Sequence, residues 1–286
     1  MTEDGTFPAG GMKIRDFQRL AAVIHGYSGI RMPPAKKTMV EGRLRRRLRA
    51  LGLSGFDEYC RLLFDEDGLD GELVSLIDAV STNKTDFFRE EEHFRFLVSR
   101  VLPDLFSRSH RPGFGRPLKV WSAACSTGAE PYTLAMVFDD VHRSRRDFTF
   151  AILGTDISTA ALAKARLGIY PAEMIDPVPA EMRKRHFLRA RDPKEHTVRL
   201  SPSIRQMVRY ARLNLMDESY PIDDDMDVIF CRNVLFYFDK ETQCSVLRRL
   251  CRHLRPGGYF FVSHSESLAG LDLPFDQAAT SVFVRR

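Results

Sequence analysis

The sequence predicts an α/β fold: a mostly parallel sheet with crossover helices, a small antiparallel β insertion, and an all-α domain ahead of both. Three observations carry this. From Leu118 onward, β-prone runs alternate with amphipathic helical runs, the pattern of a parallel sheet. Before residue 83 no convincing strand pattern occurs. Between Tyr170 and Asn214 the alternation lapses into turn signals and short β-prone runs, which a compact domain accommodates better as a subdomain than as a structureless loop.

Taken in order, residues 12–82 read as a helical domain, 83–117 as a linker helix and loop, and 118–286 as the sheet domain, with the insertion at about 171–213. In "KKTMVEGRLRRRLRALGL", Val40, Leu44, Leu48 and Leu51 recur at helical spacing, and Gly52 is a natural stop. Arg45, Arg46 and Arg49 fall opposite that stripe, with Arg43 and Arg47 flanking it, so the helix carries one dominant sign of charge. In "STNKTDFFREEEHF", Thr85 or Asp86 is placed to cap a helix, with Glu90 to Glu92 in its first turn. The strands are expected at "KVWSA", "FTFAILGTDIS", "MDVIFCRN" and "GYFFVS", the helices at "EPYTLAMVFDDVHR", "TAALAKARLG" and "KETQCSVLRRLCRHL". The insertion gathers "TVRLS" and "MVRYARL".

Composition excludes several classes. The chain has 286 residues, 44% hydrophobic and 28% charged, with a formal net charge of +5, an ordinary soluble balance leaning toward acidic partners. The opening residues show no apolar secretory region and no run is long enough to span a bilayer, so a cytoplasmic location without membrane insertion is expected. Five cysteines (Cys60, Cys125, Cys231, Cys244, Cys251) form no C-x-x-C pair and the histidines are scattered, which argues against a disulfide framework and a metal centre.

The candidate ligand site lies where the first strand meets its helix, "LKVWSAACSTGAEPYTLAMVF". Ligands of open parallel sheets bind beyond the carboxyl ends of the strands. Here the turn lacks the glycines of a dinucleotide-binding loop, and Glu130 stands at its edge. A carboxylate repels a pyrophosphate but suits a ligand with a sulfonium, an amine and ribose hydroxyls, the features of S-adenosylmethionine. Asp156, ending the second strand, stands where an acid receives ribose hydroxyls, although an Asp there also serves as a helix cap. Asn214 ends the next β-prone run, where an amide can read adenine or simply make a turn.

The stretches "WSAACSTGAEPYTLAM", "GTDIS", "ARLGIY", "FCRNVLFYFD", "LRPGGYFFVSHSESL" and "STNKTDFFRE" resemble the chemotaxis receptor methyltransferases, the CheR family, from about Phe17 to Val284. The resemblance implies a Rossmann-like methyltransferase domain dependent on S-adenosylmethionine, releasing S-adenosylhomocysteine. It also implies methylation of glutamate side chains on the cytoplasmic helices of chemoreceptors in adaptation. By the same resemblance Asn83, Thr85, Arg89, Glu130, Asp156, Asn214, Leu215, Arg232 and Asn233 line the cofactor pocket. Arg89 and Tyr237 lie nearest the transferred methyl. The basic helix, Arg43, Arg45, Arg46, Arg47 and Arg49, meets the receptor's acidic residues. The expected chain is monomeric. A nucleic-acid methyltransferase also needs basic surface, but this helix lacks aromatics for stacking. A regulator that has lost catalysis is disfavoured by the intact Arg89, Asp156 and Tyr237. Some family members tether a receptor peptide to an edge of the inserted sheet. The turn "LRARDPKEH" has no glycine and holds Pro193, so a tether-independent mode is expected.

Overall fold

The computed structural model describes residues 11–108, 111–192 and 194–286. Pro193 lies outside the described residues. Two compact units emerge, one running to Thr82 and taking in Tyr237–Asp239, the other comprising Asn83–Phe236 and Lys240–Arg286.

The first unit is helical: α1 (Ile14–Ser28), α2 (Lys37–Leu51), α3 (Phe56–Phe64) and α4 (Leu69–Val80). The stripe expected on α2 is buried at Val40, Leu44 and Leu48, while Leu51 at the last helical position is only half-buried. Gly52 closes the helix at φ 69°, its N–H returning to the carbonyls of Leu48 and Arg49. Within this unit the arginines of α2 divide. Arg45, Arg46 and Arg49 are exposed, whereas Arg43 donates to the carbonyls of Val80 and Ser81 and to Thr82 Oγ1. Arg47 grips Glu72 with two bonds of 2.5 Å, and Tyr59 donates to the same carboxylate at 3.1 Å. These two arginines staple α2 to α4 and its end.

The second unit is built on a seven-stranded sheet: β1 (Leu118–Ala123), β2 (Phe150–Asp156), β6 (Val208–Arg212), β7 (Met226–Cys231), β8 (Leu254–Phe261), β9 (Phe275–Ala279) and β10 (Val282–Arg285), in spatial order β6-β2-β1-β7-β8-β10-β9. The first five run parallel, and β10 pairs antiparallel with both β8 and β9. Sequence patterning did not assign β9 and β10, whose residues are mostly half-buried or exposed and so lack a clear hydrophobic face. The crossover helices include α7 (Ala129–Ser144), α8 (Thr159–Leu167) and α11 (Lys240–His253). Trp121, fully buried on β1, donates from Nε1 to Thr155 Oγ1 at 2.9 Å and so ties the first two strands together.

The inserted sheet is antiparallel as expected: β3 (Ile169–Pro171), β4 (Phe187–Arg189) and β5 (Thr197–Leu200), in the order β3-β5-β4. Two short helices, α9 (Ala180–His186) and α10 (Pro202–Gln206), flank its last two strands. One assignment needs correction. "MVRYARL" is not part of the insertion: Val208–Arg212 is the parallel edge strand beside β2, with Ile152 opposite Val208 and Asp156 opposite Arg212. An edge strand is half solvated and alternates like an antiparallel ribbon, so periodicity alone cannot choose between them.

The linker also departs from expectation. Residues 81–86 have no regular structure and Phe87–Glu90 form a turn, so neither Thr85 nor Asp86 caps a helix. The helix α5 (Glu91–Phe96) starts after Glu90 and passes through a π-helical turn, Leu97–Val101, into α6 (Leu102–Ser107). Phe88 and Glu90 adopt φ of 53° and 56°, a conformation costly for bulky side chains. Burial of Phe87 and Phe88, and donation from the Phe88 N–H to Thr133 Oγ1, hold the turn in place. The helix behind it sends Phe94, Leu97, Val101 and Leu105 into the core of the sheet domain.

Candidate functional site

The carboxyl ends of β1, β2, β6, β7 and β8 form one edge, and most residues named from the sequence converge there. After β1 the chain makes a tight turn with left-handed residues at Ala124, Ser126 and Gly128. Gly128, at φ 91°, is required twice over: a Cβ there would meet Tyr210 Oη at 2.7 Å and Ala165 Cβ at 2.8 Å. The turn delivers α7, whose first turn presents Glu130.

Two hydrogen-bonded chains organise the edge. In the first, Asp156 at the end of β2 accepts the Ser126 N–H at 2.8 Å and the Ser158 N–H at 2.9 Å. Ser126 Oγ donates to the Asn83 carbonyl at 2.9 Å, and Asn83 Nδ2 reaches Ser158 Oγ at 3.5 Å. Ser158 itself caps α8 by accepting the Ala161 N–H, so the capping role open to Asp156 belongs to Ser158. Asn214 and Leu215, both buried, follow β6, whose end is joined to β2 by the Leu213 N–H donating to the Asp156 carbonyl.

The second chain centres on Arg232 after β7, whose side chain is only 1% exposed. Its guanidinium meets Glu130 at 2.9 Å, Glu90 at 3.2 Å and the Arg89 carbonyl at 2.5 Å, beside the stacked rings of Phe94 and Phe230. Glu130 also accepts from Ser122 Oγ at 2.7 Å, and Glu90 from Asn233 Nδ2 at 3.3 Å and the His264 N–H at 3.2 Å. The two acids respond oppositely. Burial pushes the Glu130 carboxyl up, and Arg232 with Ser122 offsets this only in part. Burial acts on Glu90 too, but Arg232, Asn233 and the His264 N–H together hold it below the ordinary carboxylate range. One buried guanidinium thus serves two acids, and Asp156 adds a third. The edge is thus rich in acidic side chains.

Not every expected residue joins these chains. Arg89 contributes its carbonyl to Arg232, while its guanidinium bonds back to the Lys84 carbonyl at 3.2 Å. Thr85 is half-buried in the irregular stretch before the turn. Asn83, Thr85 and Arg89 therefore precede the linker helix rather than project from it. Tyr237 ends a 3-10 turn, Leu235–Tyr237, and groups with the first unit, where its carbonyl accepts the Arg31 N–H and Lys36 lies over its ring.

Sequence reasoning missed Glu90 and Glu266. Glu90 was assigned to a helix dipole, yet its carboxylate turns to Arg232. Its place in "FFRE" beside Arg89 was the available signal. Glu266, in "SHSES", accepts four backbone N–H groups, and nothing in sequence spacing marks it. Two His–carboxylate groups have ligand-like spacing, Glu90–His93–His264 and Asp139–Asp140–His186, but each of their acids is already paired with an arginine.

His93 gives the site a pH signature. It is 2% exposed, and burial, reinforced by Arg232, lowers its pKa to about 3 against the opposing Glu90. Its folded value lies below its unfolded value, so the unfolded chain binds the extra proton. Stability should therefore be full above about pH 6.5 and fall as pH drops toward 3, by at most about 1.4 kcal/mol per unit. His186, also lowered by burial, adds to the wild-type slope. Urea unfolding between pH 7 and 5, above the range in which Glu90 titrates, is expected to show a clearly smaller pH dependence for His93→Leu. An unchanged slope would remove His93 as its source.

The donor set fits S-adenosylmethionine. An edge rich in acids suits its sulfonium and ammonium groups, and the buried Asp156 and Asn214 lie at and just beyond the ends of the adjacent strands β2 and β6. Comparison with known proteins agrees. The model described as "CheR methyltransferase, SAM binding domain" matches residues 83–284, and "CheR methyltransferase, all-alpha domain" matches residues 15–81. Chemotaxis protein methyltransferase 2 of Pseudomonas aeruginosa is 40% identical over 252 residues, 88% of this chain and 86% of the relative. The chemotaxis protein methyltransferase of Borreliella burgdorferi is 36% identical over 256 residues, 89% of each chain. That of Escherichia coli K12 is 37% identical over 267 residues, 93% of this chain and 89% of the relative. With an acid-rich edge suited to a cationic cofactor and both domain models matched in order, the chain belongs to the CheR methyltransferases and is an S-adenosylmethionine-dependent methyltransferase.

Proposed function

We propose that this protein methylates glutamate side chains on the cytoplasmic helices of chemoreceptors, forming methyl esters. The observation that carries the reading is the buried Glu130–Arg232–Glu90 chain with Asp156 beside it, on a chain whose full-length relatives are named chemotaxis protein methyltransferases. Among the described residues no helix is long and apolar enough to cross a membrane, and the proposed place of work is the cytoplasm.

When bound, S-adenosylmethionine supplies an electrophilic methyl group on a sulfonium that leaves as a neutral thioether. A substrate glutamate is already ionised near neutral pH, with a reference pKa of about 4.3, so the protein needs no general base. Its task is positioning, which alone can lower a barrier by ~7–11 kcal/mol. In this reading Glu130 and Asp156, with Asn83, Thr85, Asn214, Leu215, Arg232 and Asn233, hold the cofactor. Glu130 acts on the ammonium end and Asp156 on the ribose diol. Arg89 and Tyr237 hold the substrate carboxylate so that one oxygen lone pair stays free to attack. The deciding experiment follows labelled methyl transfer to receptor cytoplasmic fragments, with RNA as control. Base-labile label on protein alone is expected, and label on RNA would overturn the reading.

The receptor is proposed to dock on Arg45, Arg46 and Arg49, the exposed arginines of α2, since Arg43 and Arg47 are occupied within their own unit. Charge reversal at all three is expected to cut receptor methylation at least tenfold at low salt while leaving cofactor affinity unchanged. The wild-type rate should fall as salt rises, because exposed charges are screened beyond ~8–10 Å. Full activity of the triple variant would leave the face merely solvated.

A tether-independent mode is proposed as well. The loop between β4 and β5 turns part of its backbone inward: Asp192 takes the N–H groups of Lys194 and Glu195, and Glu195 that of Thr197. Those donors are taken and do not serve an added strand. An acidic-aromatic peptide from a receptor C-terminus should therefore bind with at best millimolar affinity in calorimetry. Micromolar binding lost on deleting residues 190–195 would refute this.

A further inference from the structure

We propose that Glu266 is a positioning residue that fixes the Arg232–Leu235 loop and, through it, sets Asn233 for the cofactor. The inference rests on the cofactor-binding reading of Asn233 given above. The loops after β7 and β8 leave the carboxyl ends of two adjacent parallel strands, where ligands of such sheets bind. Glu266 lies on the second loop, is 9% exposed, and pairs with no cationic side chain among the described residues. Its carboxylate instead gathers backbone donors from both loops. Oε1 takes the Val234 N–H at 2.9 Å and the Leu235 N–H at 2.8 Å, while Oε2 takes those of Asn233 at 3.1 Å and Ser263 at 2.9 Å.

Four donors in the fork of one carboxylate make a rigid clamp, because each would otherwise be an orphaned or poorly solvated amide at the sheet edge. The clamp explains the backbone it holds. Asn233 sits at φ 60°, a conformation that an Asn tolerates but that needs support from its surroundings. With its N–H pinned to Glu266, the Asn233 amide side chain is delivered to Glu90, bonding at 3.3 Å, and so enters the Arg232 chain. Releasing the clamp frees Asn233 to relax toward negative φ, which swings its side chain away from that chain. Glu266 thus acts through the backbone and is not a catalytic residue.

Glu266→Gln separates this from simple packing. The amide has nearly the same shape, but only one of its two heads accepts, so whichever way it is turned two of the four N–H groups face an NH2 group. Calorimetry with S-adenosylhomocysteine is the readout for Glu266→Gln, Asn233→Ala and the double variant. Each single variant should weaken binding about tenfold, with a folded protein by circular dichroism, and the double should be no worse than either single. Asn233→Ala binding like wild type would overturn the cofactor reading of Asn233 and this inference with it. A weakened Asn233→Ala beside an unaffected Glu266→Gln, or additive losses in the double, would overturn this inference alone. Should Glu266→Gln fold poorly, amide hydrogen exchange of the wild-type protein decides. The amides of residues 233–235 should be as protected as those of β7, and rapid exchange would refute the clamp.

Discussion

Arg232→Met is expected to cost about 3–5 kcal/mol of stability and to abolish measurable cofactor binding. Among the described residues Arg232 is the one arginine or lysine paired with Glu90 and Glu130, and its guanidinium is almost fully enclosed. Removing it leaves two largely enclosed carboxylates without a cationic partner, and breaking a buried ion pair from one side is strongly destabilising. Methionine fills much of the same volume beside Phe94 and Phe230, so lost packing would not account for the effect. Glu130, already pushed up by burial, would then rise further and take a proton, erasing the charge that suits a cationic ligand. Arg232→Lys should fall between, since a lysine keeps the charge but loses the fork that reaches both acids and the Arg89 carbonyl. Thermal unfolding and titration calorimetry measure both consequences. A wild-type midpoint in Arg232→Met would mean that the acids find compensation elsewhere.

Asp156→Ala should likewise remove detectable cofactor binding, and the structure predicts a loss of stability as well. A charged acceptor for the ribose diol is worth ~1.5–3 kcal/mol. The same carboxylate also receives the N–H groups of Ser126 and Ser158, which would be left buried without partners at a cost of about 1–3 kcal/mol each. A fold left wholly intact is therefore not the expected result. Asp156→Asn helps to separate the two roles, because an amide removes the charge and keeps one of the two acceptors that Ser126 and Ser158 use. Its unfolding midpoint should lie between those of wild type and Asp156→Ala, since one N–H loses its acceptor rather than two, and its affinity for S-adenosylhomocysteine should drop at least tenfold. Undiminished affinity in a folded Asp156→Asn would take Asp156 out of the ribose role.

The sequence by itself determined the parts whose signals are local. Apolar spacing in α2, the stop at Gly52, the strand–turn–helix around Gly128, and acids or amides at the ends of β1, β2 and β6 follow from periodicity and from what each residue type permits. A motif set spread over most of the chain added the family. Tertiary structure decided what depends on partners distant in sequence. Arg43 and Arg47 read like the other arginines of α2 until Glu72 and the end of α4 claimed them. Val208–Arg212 looked like part of the insertion until β2 paired with it in parallel. Glu90 looked like a helix-start acid until Arg232, 142 positions away by the residue numbers, drew its carboxylate inward. Glu266 was silent because its partners are backbone N–H groups, which every sequence contains and no residue code marks. Local chemistry is written in the order of residues, whereas the compensation of buried charges and backbone donors is a property of which segments meet.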